Sequence, residues 1–317
     1  MNKEKKYYIG IDLGGTFIKG GVVDGLGNIL ISDQTPTEKQ FGGDRVVSNI
    51  SMLIDKLLEN ASITKEEIVG IGIGSPGIID SKAGAVVFSG NMRWTNFPLA
   101  VEVSKATGLP AKLANDANVA ALGETKFGCG KDYENTILIT LGTGVGGGII
   151  IEGKLFEGTR SAGAELGHAV ILAGGELCTC GRKGCFEAYA SATALIRDTK
   201  RAMEADKSSK MWEIGGLDNV TGKTPFDYYD TDASAKKVVD NYIMMLGTGI
   251  TNLANEFRPQ AIILGGGVCA QGERLIKPLQ EFLNREIFAR EKGPQVKLLI
   301  ATLGNKAGLS GAAALWM

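Results

Sequence analysis

Short apolar runs closed by glycine turns alternate along this chain with longer stretches whose apolar residues recur three and four apart. Tyr7–Leu13 reads as a buried strand, Gly14 and Gly15 turn the chain, and 18–23 reads as the returning strand. DGLGN at 24–28 is a second turn into a strand over 29–32. Residues 45–59 carry Val46, Val47, Ile50, Leu53, Ile54, Leu57 and Leu58 at helical spacing. A short strand over 68–73 runs into GSPG at 74–77. Leu99–Thr107 is a helix stopped by Gly108 and Pro110, 111–114 is a strand, and Asn115 and Asp116 open a helix to about Lys126. Thr136–Leu141 is a strand, 142–148 a glycine turn, and 149–151 a strand. Helices are expected over 185–203, 234–257 and 273–289, with a closing helix over 308–316. Strands are expected over 261–264, entering GGG at 265–267, and over 298–301. Residues 205–233 have weak periodicity and read as surface turns with a short helix near 211–214. Strands alternating with helices predict an α/β protein.

The pattern also repeats. IGIDLGGTFIKGGVVDG (9–25) lies on ILITLGTGVGGGIIIEG (137–153) without a gap, Gly14 meeting Gly142 and Gly25 meeting Gly153. A strand–turn–strand unit is duplicated, one copy per domain. The length of 317 residues agrees with two domains.

Composition narrows the partners. The chain has 34 basic and 35 acidic side chains, a net charge of -1. A binder held by bulk phosphate attraction needs a basic surface, so nucleic acid is not an expected partner. The charged amino terminus lacks the apolar core of a signal peptide, and no apolar run reaches the length of a membrane helix. The expected location is cytoplasmic, where clustered cysteines point to metal or catalysis rather than disulfides.

The 45 glycines concentrate the chemistry. Gly142, Gly144 and Gly147 match G-x-G-x-x-G, but a strand follows instead of the helix that a dinucleotide site requires. The second reading is a pair of phosphate hairpins, where glycine lets backbone N–H groups approach phosphate oxygens. Gly14, Gly15 and Thr16 would form one, with Lys19 in the returning strand; Gly142, Thr143 and Gly144 the other. Asp12, ending the first strand, is placed to hold Mg²⁺ or its waters. Gly265, Gly266 and Gly267 would let an adenosine lie against backbone.

DLGGTFIKGG (12–21) and LGTGVGGG (141–148) resemble the two phosphate motifs of the actin-like sugar-kinase superfamily. The match is closest to its ROK family (repressors, open reading frames, kinases), and within that to the bacterial glucokinase branch. The resemblance runs essentially end to end. It implies a two-domain actin-like ATPase (ribonuclease H-like) fold with a cleft between domains. The smaller domain would comprise 1–115 plus 305–317, and the larger 116–304. It also implies ATP and Mg²⁺ as cofactors and a homodimer or homotetramer.

His168, the only histidine, precedes Cys178, Cys180 and Cys185. One nitrogen and three thiolates are the donor set of a closed, structural Zn²⁺ site. The resemblance further implies that Glu165, His168 and Glu187 contact sugar hydroxyls. Asn115 and Asp116 open NDANVAALGE, where an N-cap is the ordinary role. The resemblance makes Asp116 the base that accepts the proton of a sugar 6-hydroxyl, with Asn115 capping the helix or binding sugar. Gly74, in the GSPG loop, and Asn91, in NMRW, are implied on the sugar side; Trp94 is expected to pack.

The implied activity is phosphorylation of a hexose 6-hydroxyl by ATP, glucose first. Fructose, N-acetylmannosamine, N-acetylglucosamine and allose remain alternative substrates, and polyphosphate an alternative donor. A sugar-responsive repressor would carry a DNA-binding segment before the first phosphate motif, where only eleven residues precede Asp12. A non-catalytic sugar sensor is the remaining class, against which Asp12, Thr16, Thr143 and Asp116 speak together.

Overall fold

A computed structural model describes residues 6–317; the charged start over 1–5 lies outside the described residues. The first elements are β1 (Tyr7–Leu13), β2 (Phe17–Val23), β3 (Ile29–Pro36), α1 (Gly43–Ala61) and β4 (Ile68–Ser75). A small sheet follows, β5 (Ile78–Asp80), β6 (Ala85–Ser89) and β7 (Trp94–Phe97), then α2 (Leu99–Thr107), β8 (Ala111–Asn115) and α3 (Asp116–Phe127). The middle holds β9 (Thr136–Leu141), β10 (Val145–Ile151), β11 (Lys154–Phe156), α4 (Glu187–Ala190), α5 (Ala192–Ala205) and α6 (Thr224–Asp227). The chain closes with α7 (Ala233–Phe257), β12 (Ala261–Gly265), α8 (Glu273–Glu286), β13 (Lys297–Ile300) and α9 (Ala307–Ala313). Among the described residues, no helix is long and apolar enough to cross a membrane.

Two five-stranded sheets carry the duplicated hairpin, in the orders β3-β2-β1-β4-β8 and β11-β10-β9-β12-β13. In each, the hairpin's first strand pairs in parallel with a later strand, β1 with β4 and β9 with β12. The gap-free repeat in the sequence is thus a repeat of topology.

The chain divides into two compact units. The first takes the chain up to Glu134, Gly148–Ala164 and Thr302–Met317; the second takes Asn135–Gly147 and Glu165–Ala301. This differs from the division expected at 115/116, because α3 packs backbone to backbone with α9. A Cβ on Gly311 would lie 1.7 Å from the Val119 carbonyl oxygen.

The first unit shows how alternation sets its layers. Ile9, Ile11 and Leu13 of β1 and Ile71 and Ile73 of β4 join Ile50, Leu53, Ile54 and Leu57 of α1 in one buried cluster. Burial of each such side chain is worth about 1.5–3 kcal/mol. Between Ile9 and Ile11, and between Ile71 and Ile73, stand glycines. A Cβ on Gly10 would sit 2.0 Å from the Leu309 carbonyl oxygen, and one on Gly72 1.7 Å from that of Ala312. A strand's side chains alternate between faces, so the isoleucine face takes α1 and the glycine face lets α9 lie directly on the sheet.

In the second unit, α7 packs against α5, α6 and α8, and the buried Tyr242 hydroxyl donates to the Ala190 carbonyl at 2.8 Å. Three expectations change. The helix expected over 185–203 breaks at Ser191, which is extended and whose hydroxyl caps α5 by accepting from Ala194 N–H at 3.1 Å. The glycine turn expected over 142–148 is shorter, because β10 already begins at Val145. Gly147 and Gly148 are strand residues, and a Cβ on Gly147 would strike the Leu166 side chain. The helix expected over 273–289 ends at Glu286, where Ile287 turns extended and buries.

Candidate active site

Strand ends build the site's first part, within the first unit. Asp12 ends β1 opposite Gly74 of β4, and Gly74 pairs with Ala114 of β8. Asn115 and Asp116 follow at the junction of β8 and α3. Two strand spacings, about 10 Å, therefore bring Asp12 and Asp116 to the same sheet edge. Lys19 Nζ lies 3.7 Å from Asp12 Oδ2, so this lysine acts as the charge partner of Asp12. Burial raises the Asp12 carboxyl above the ordinary carboxylate value, and Lys19 opposes that shift. Asp116 keeps a solvent-accessible side chain. Desolvation by the surrounding protein nevertheless raises its pKa; the Ala117 N–H opposes the shift, and the Asp12 charge adds to it.

The Asn115 side chain caps α3. Its Oδ1 accepts from the N–H groups of Ala117 at 2.9 Å and Asn118 at 3.3 Å, and its Nδ2 donates to the Gly77 carbonyl at 3.2 Å. One amide N–H is left for a ligand. Gly74 is buried, and a Cβ there would lie 2.6 Å from Val119 Cγ2. Its lack of a side chain serves helix packing.

The first glycine hairpin closes with Gly14 N–H donating to Phe17 O at 3.0 Å. Thr37, fully buried, ties it down from β3's end: its hydroxyl donates to Gly14 O at 2.7 Å and its N–H to Thr16 O at 2.9 Å. Asn91 lies over Gly15, where a Cβ would come 2.6 Å from Asn91 Oδ1. Lys39 Nζ donates to both Asn91 O and Asn91 Oδ1 at 2.7 Å, leaving the Asn91 Nδ2 as its open donor. Trp94 is buried and packs on Phe97, ring centroids 4.6 Å apart.

Within the second unit, the turn after β9 is tight, Gly142 N–H donating to Gly144 O at 3.0 Å. The Glu187–Thr193 segment holds it at three points. Glu187 Oε2 accepts from Val145 N–H at 3.0 Å, Ala192 N–H donates to Gly142 O at 2.8 Å, and Thr193 Oγ1 donates to Thr143 O at 2.8 Å. The third glycine run adjoins the same turn: Gly266 has φ +96, and a Cβ there would lie 2.3 Å from Leu141 O. Gly267 faces open space.

His168, Cys178, Cys180 and Cys185 come together, their ligand atoms all within 4.8 Å of one another. A tetrahedron with Zn–S bonds of ~2.3 Å has an S···S edge of about 3.8 Å. Cys180 Sγ and Cys185 Sγ are 3.7 Å apart, as are Cys178 Sγ and His168 Nδ1. The donor set and its spacing fit a closed four-ligand site, with His168 Nε2 left over. Burial and the neighbouring thiols push Cys185 up to about 12; a bound cation reverses that cost by favouring thiolate. Cys129 and Cys269, outside the cluster, are also held at about 12 by burial. The Glu165 side chain, at the start of this region, is exposed.

Sequence reasoning missed Thr37, Lys39, Thr193 and Thr179, whose hydroxyl donates to Glu187 Oε1 at 2.8 Å. Of these only Thr193 has a local signal, as a residue of SAT just after a capping serine. The others are recruited by tertiary contacts.

A sheet led by a glycine hairpin, present twice in one topology, is the architecture of the actin-like ATPase fold. The chain belongs to the ROK family, whose model matches residues 8–317. It is 39% identical over 96% of its length to a glucokinase of Halalkalibacterium halodurans, covering 93% of that protein. Its fold is similar to a ROK family glucokinase from Streptomyces griseus in complex with glucose and AMPPNP, with a TM-score of 0.77, 37% identity and 98% of each chain covered. It is also similar to the ROK hexokinase from Thermus thermophilus, with a TM-score of 0.82, 33% identity and 97% of each chain covered.

Proposed function

We propose that this chain transfers the γ-phosphoryl group of ATP to the 6-hydroxyl of a hexose, with glucose as the preferred acceptor. The observation that carries the reading is the pairing of Asp12 and Asp116 at one sheet edge, beside a glycine hairpin whose backbone is pinned by Thr37. Phosphoryl transfer needs positioning, charge stabilisation and a base for the attacking hydroxyl. Asp116, at the start of α3 with an accessible carboxylate of raised basicity, takes the proton of the 6-hydroxyl. Asp12 would hold Mg²⁺ or its waters, and the ion would offset phosphate charge beside the nucleotide. Lys19 opposes the upward shift that burial imposes on Asp12. The Gly14–Thr16 and Gly142–Gly144 turns offer backbone N–H groups to phosphates, with Thr16 and Thr143 exposed beside them, and Gly265, Gly266 and Gly267 take the adenosine.

Asn91 Nδ2, the free Asn115 N–H, Glu165, His168 Nε2 and Glu187 are assigned to the sugar hydroxyls. His168 thus has two tasks, its Nδ1 facing the cysteines. His168, Cys178, Cys180 and Cys185 would hold Zn²⁺ in a structural role, with all four positions taken by protein.

A coupled assay of ADP release across glucose, fructose, N-acetylmannosamine, N-acetylglucosamine and allose tests the acceptor. Glucose should give the highest kcat/KM, and Asp116→Ala should retain glucose binding while losing turnover by ~10²–10⁴-fold. A best kcat/KM on another sugar overturns the glucose assignment, and near-normal turnover of Asp116→Ala overturns the base.

A further inference from the structure

The two carboxylates assigned to the sugar are not equivalent. No hydrogen bond or ion pair engages the Glu165 side chain among the described residues, and it stands exposed. Glu187 is committed on both oxygens: Oε2 accepts the Val145 N–H at 3.0 Å, and Oε1 accepts the Thr179 hydroxyl at 2.8 Å. Cys178 Sγ lies a further 3.7 Å from Oε1. Val145 is the first residue of β10, directly after the Gly142–Gly144 turn. The carboxylate also fills the space above that turn, since a Cβ on Gly144 would lie 2.4 Å from Glu187 Oε2.

We infer that Glu187 is a positioning residue for the second phosphate hairpin, setting its geometry for the nucleotide from the sugar-side segment. This rests on the kinase reading and adds a nucleotide-side role to a residue otherwise assigned to sugar. The turn's own N–H groups can meet phosphate only if its carbonyls and its exit are held elsewhere. Here they are: Gly142 O takes Ala192 N–H, Thr143 O takes the Thr193 hydroxyl, and the Val145 N–H ends on Glu187. A carboxylate with one arm on the hairpin and its remaining lone pairs open to a hydroxyl couples the two ligands through one rigid group.

The test is calorimetric titration of AMPPNP with Mg²⁺ in the absence of sugar, and of glucose alone. It uses the full chain as wild type, Glu187→Ala, Glu187→Gln and Thr193→Val, with hydrogen exchange measured over residues 142–146. Glu187→Ala should weaken AMPPNP on the order of tenfold and accelerate exchange at Val145. Glu187→Gln, which keeps an acceptor oxygen for Val145, should recover most of that affinity. Thr193→Val removes a different pin, at a side chain not assigned to the sugar, so it should weaken AMPPNP about threefold and leave glucose affinity unchanged. The inference is overturned if Glu187→Ala loses glucose affinity while AMPPNP affinity stays within about twofold and Val145 exchange is unchanged. Should Glu187→Ala not fold, Glu187→Gln and Thr193→Val decide by the same readings. A wild type that binds glucose but no AMPPNP refutes the kinase reading itself, and the exchange measurement still decides whether Glu187 holds the hairpin.

Discussion

Glu124 is the side chain whose removal the structure makes most informative. It lies in α3 with 1% of its surface exposed. Its Oε1 accepts the Leu303 N–H at 2.7 Å, and its Oε2 accepts the N–H groups of Thr302 at 3.1 Å and Cys129 at 3.3 Å. The Thr302 hydroxyl adds a bond at 3.3 Å. Glu124→Ala strands three backbone donors and one hydroxyl. An orphaned buried donor costs about 1–3 kcal/mol. Thr302 is exposed and Leu303 half-buried, so water can rescue part of the loss, which places the sum at the lower end, about 3 kcal/mol. At roughly 2–4 °C per kcal/mol for a domain of this size, the first unit should melt about 6–12 °C lower. Glu124→Gln keeps one acceptor but turns an amide N–H toward a donor, so its loss should be intermediate. Scanning calorimetry with hydrogen exchange at Leu303 is the assay. A shift below ~2 °C for Glu124→Ala, or unchanged protection at Leu303, refutes the reasoning. The consequence reaches the site, because 302–306 leads into α9, where a Cβ on Gly308 would lie 3.0 Å from Asp12 Cγ.

Two further predictions concern charge and metal. Asp116 has a raised folded-state pKa, so the native state binds this proton more tightly than the unfolded chain; stability from it is present at low pH and lost as pH rises through the raised value. Asp116→Asn should therefore melt higher than wild type at pH 7, with the advantage vanishing near pH ~3.5. Equal melting temperatures at both pH values would show the carboxylate to be unstrained. Mass spectrometry under native conditions should find one zinc per chain, absent in Cys178→Ser, whose melting temperature falls by about 10 °C. A metal-free wild type of undiminished stability would falsify the zinc assignment.

The layers of the fold were legible where one physical demand dominated a segment. Tyr7–Leu13, Leu99–Thr107 and Thr136–Leu141 appear with the expected bounds, because apolar runs or helical spacing end there at glycine or proline. The β5–β7 sheet went unread, since its strands are short and half-exposed, with Phe88 and Ile78 facing solvent over about half their surface. In VGIGIGS (69–75) the sequence shows a strand over 68–73 and a turn from Gly74, whereas the glycine spacing of two records the approach of α9 and α3 to one face. The break at Ser191 was hidden because alanine-rich flanks favour helix on both sides, and only the serine hydroxyl marks the cap. The metal cluster was readable because its ligands are close in sequence and chemically rare. The attachment of Glu187 to Val145 was not, because 42 positions separate them and a backbone donor has no sequence signature.

The glycine-faced sheet also fixes an order of events. β1, β4 and α3 are complete by Phe127, but the helix that covers Gly10, Gly72 and Gly123 begins at Ala307. At ribosomal rates of about 5–20 residues/s, the roughly 180 intervening residues take on the order of 10–35 s to synthesise. Throughout that interval the amino-terminal sheet waits with a furrow of bare backbone on one face. Its covering is therefore a late event in synthesis, and a nascent chain stalled before Ala307 should be a client for chaperones and a ready target for proteases.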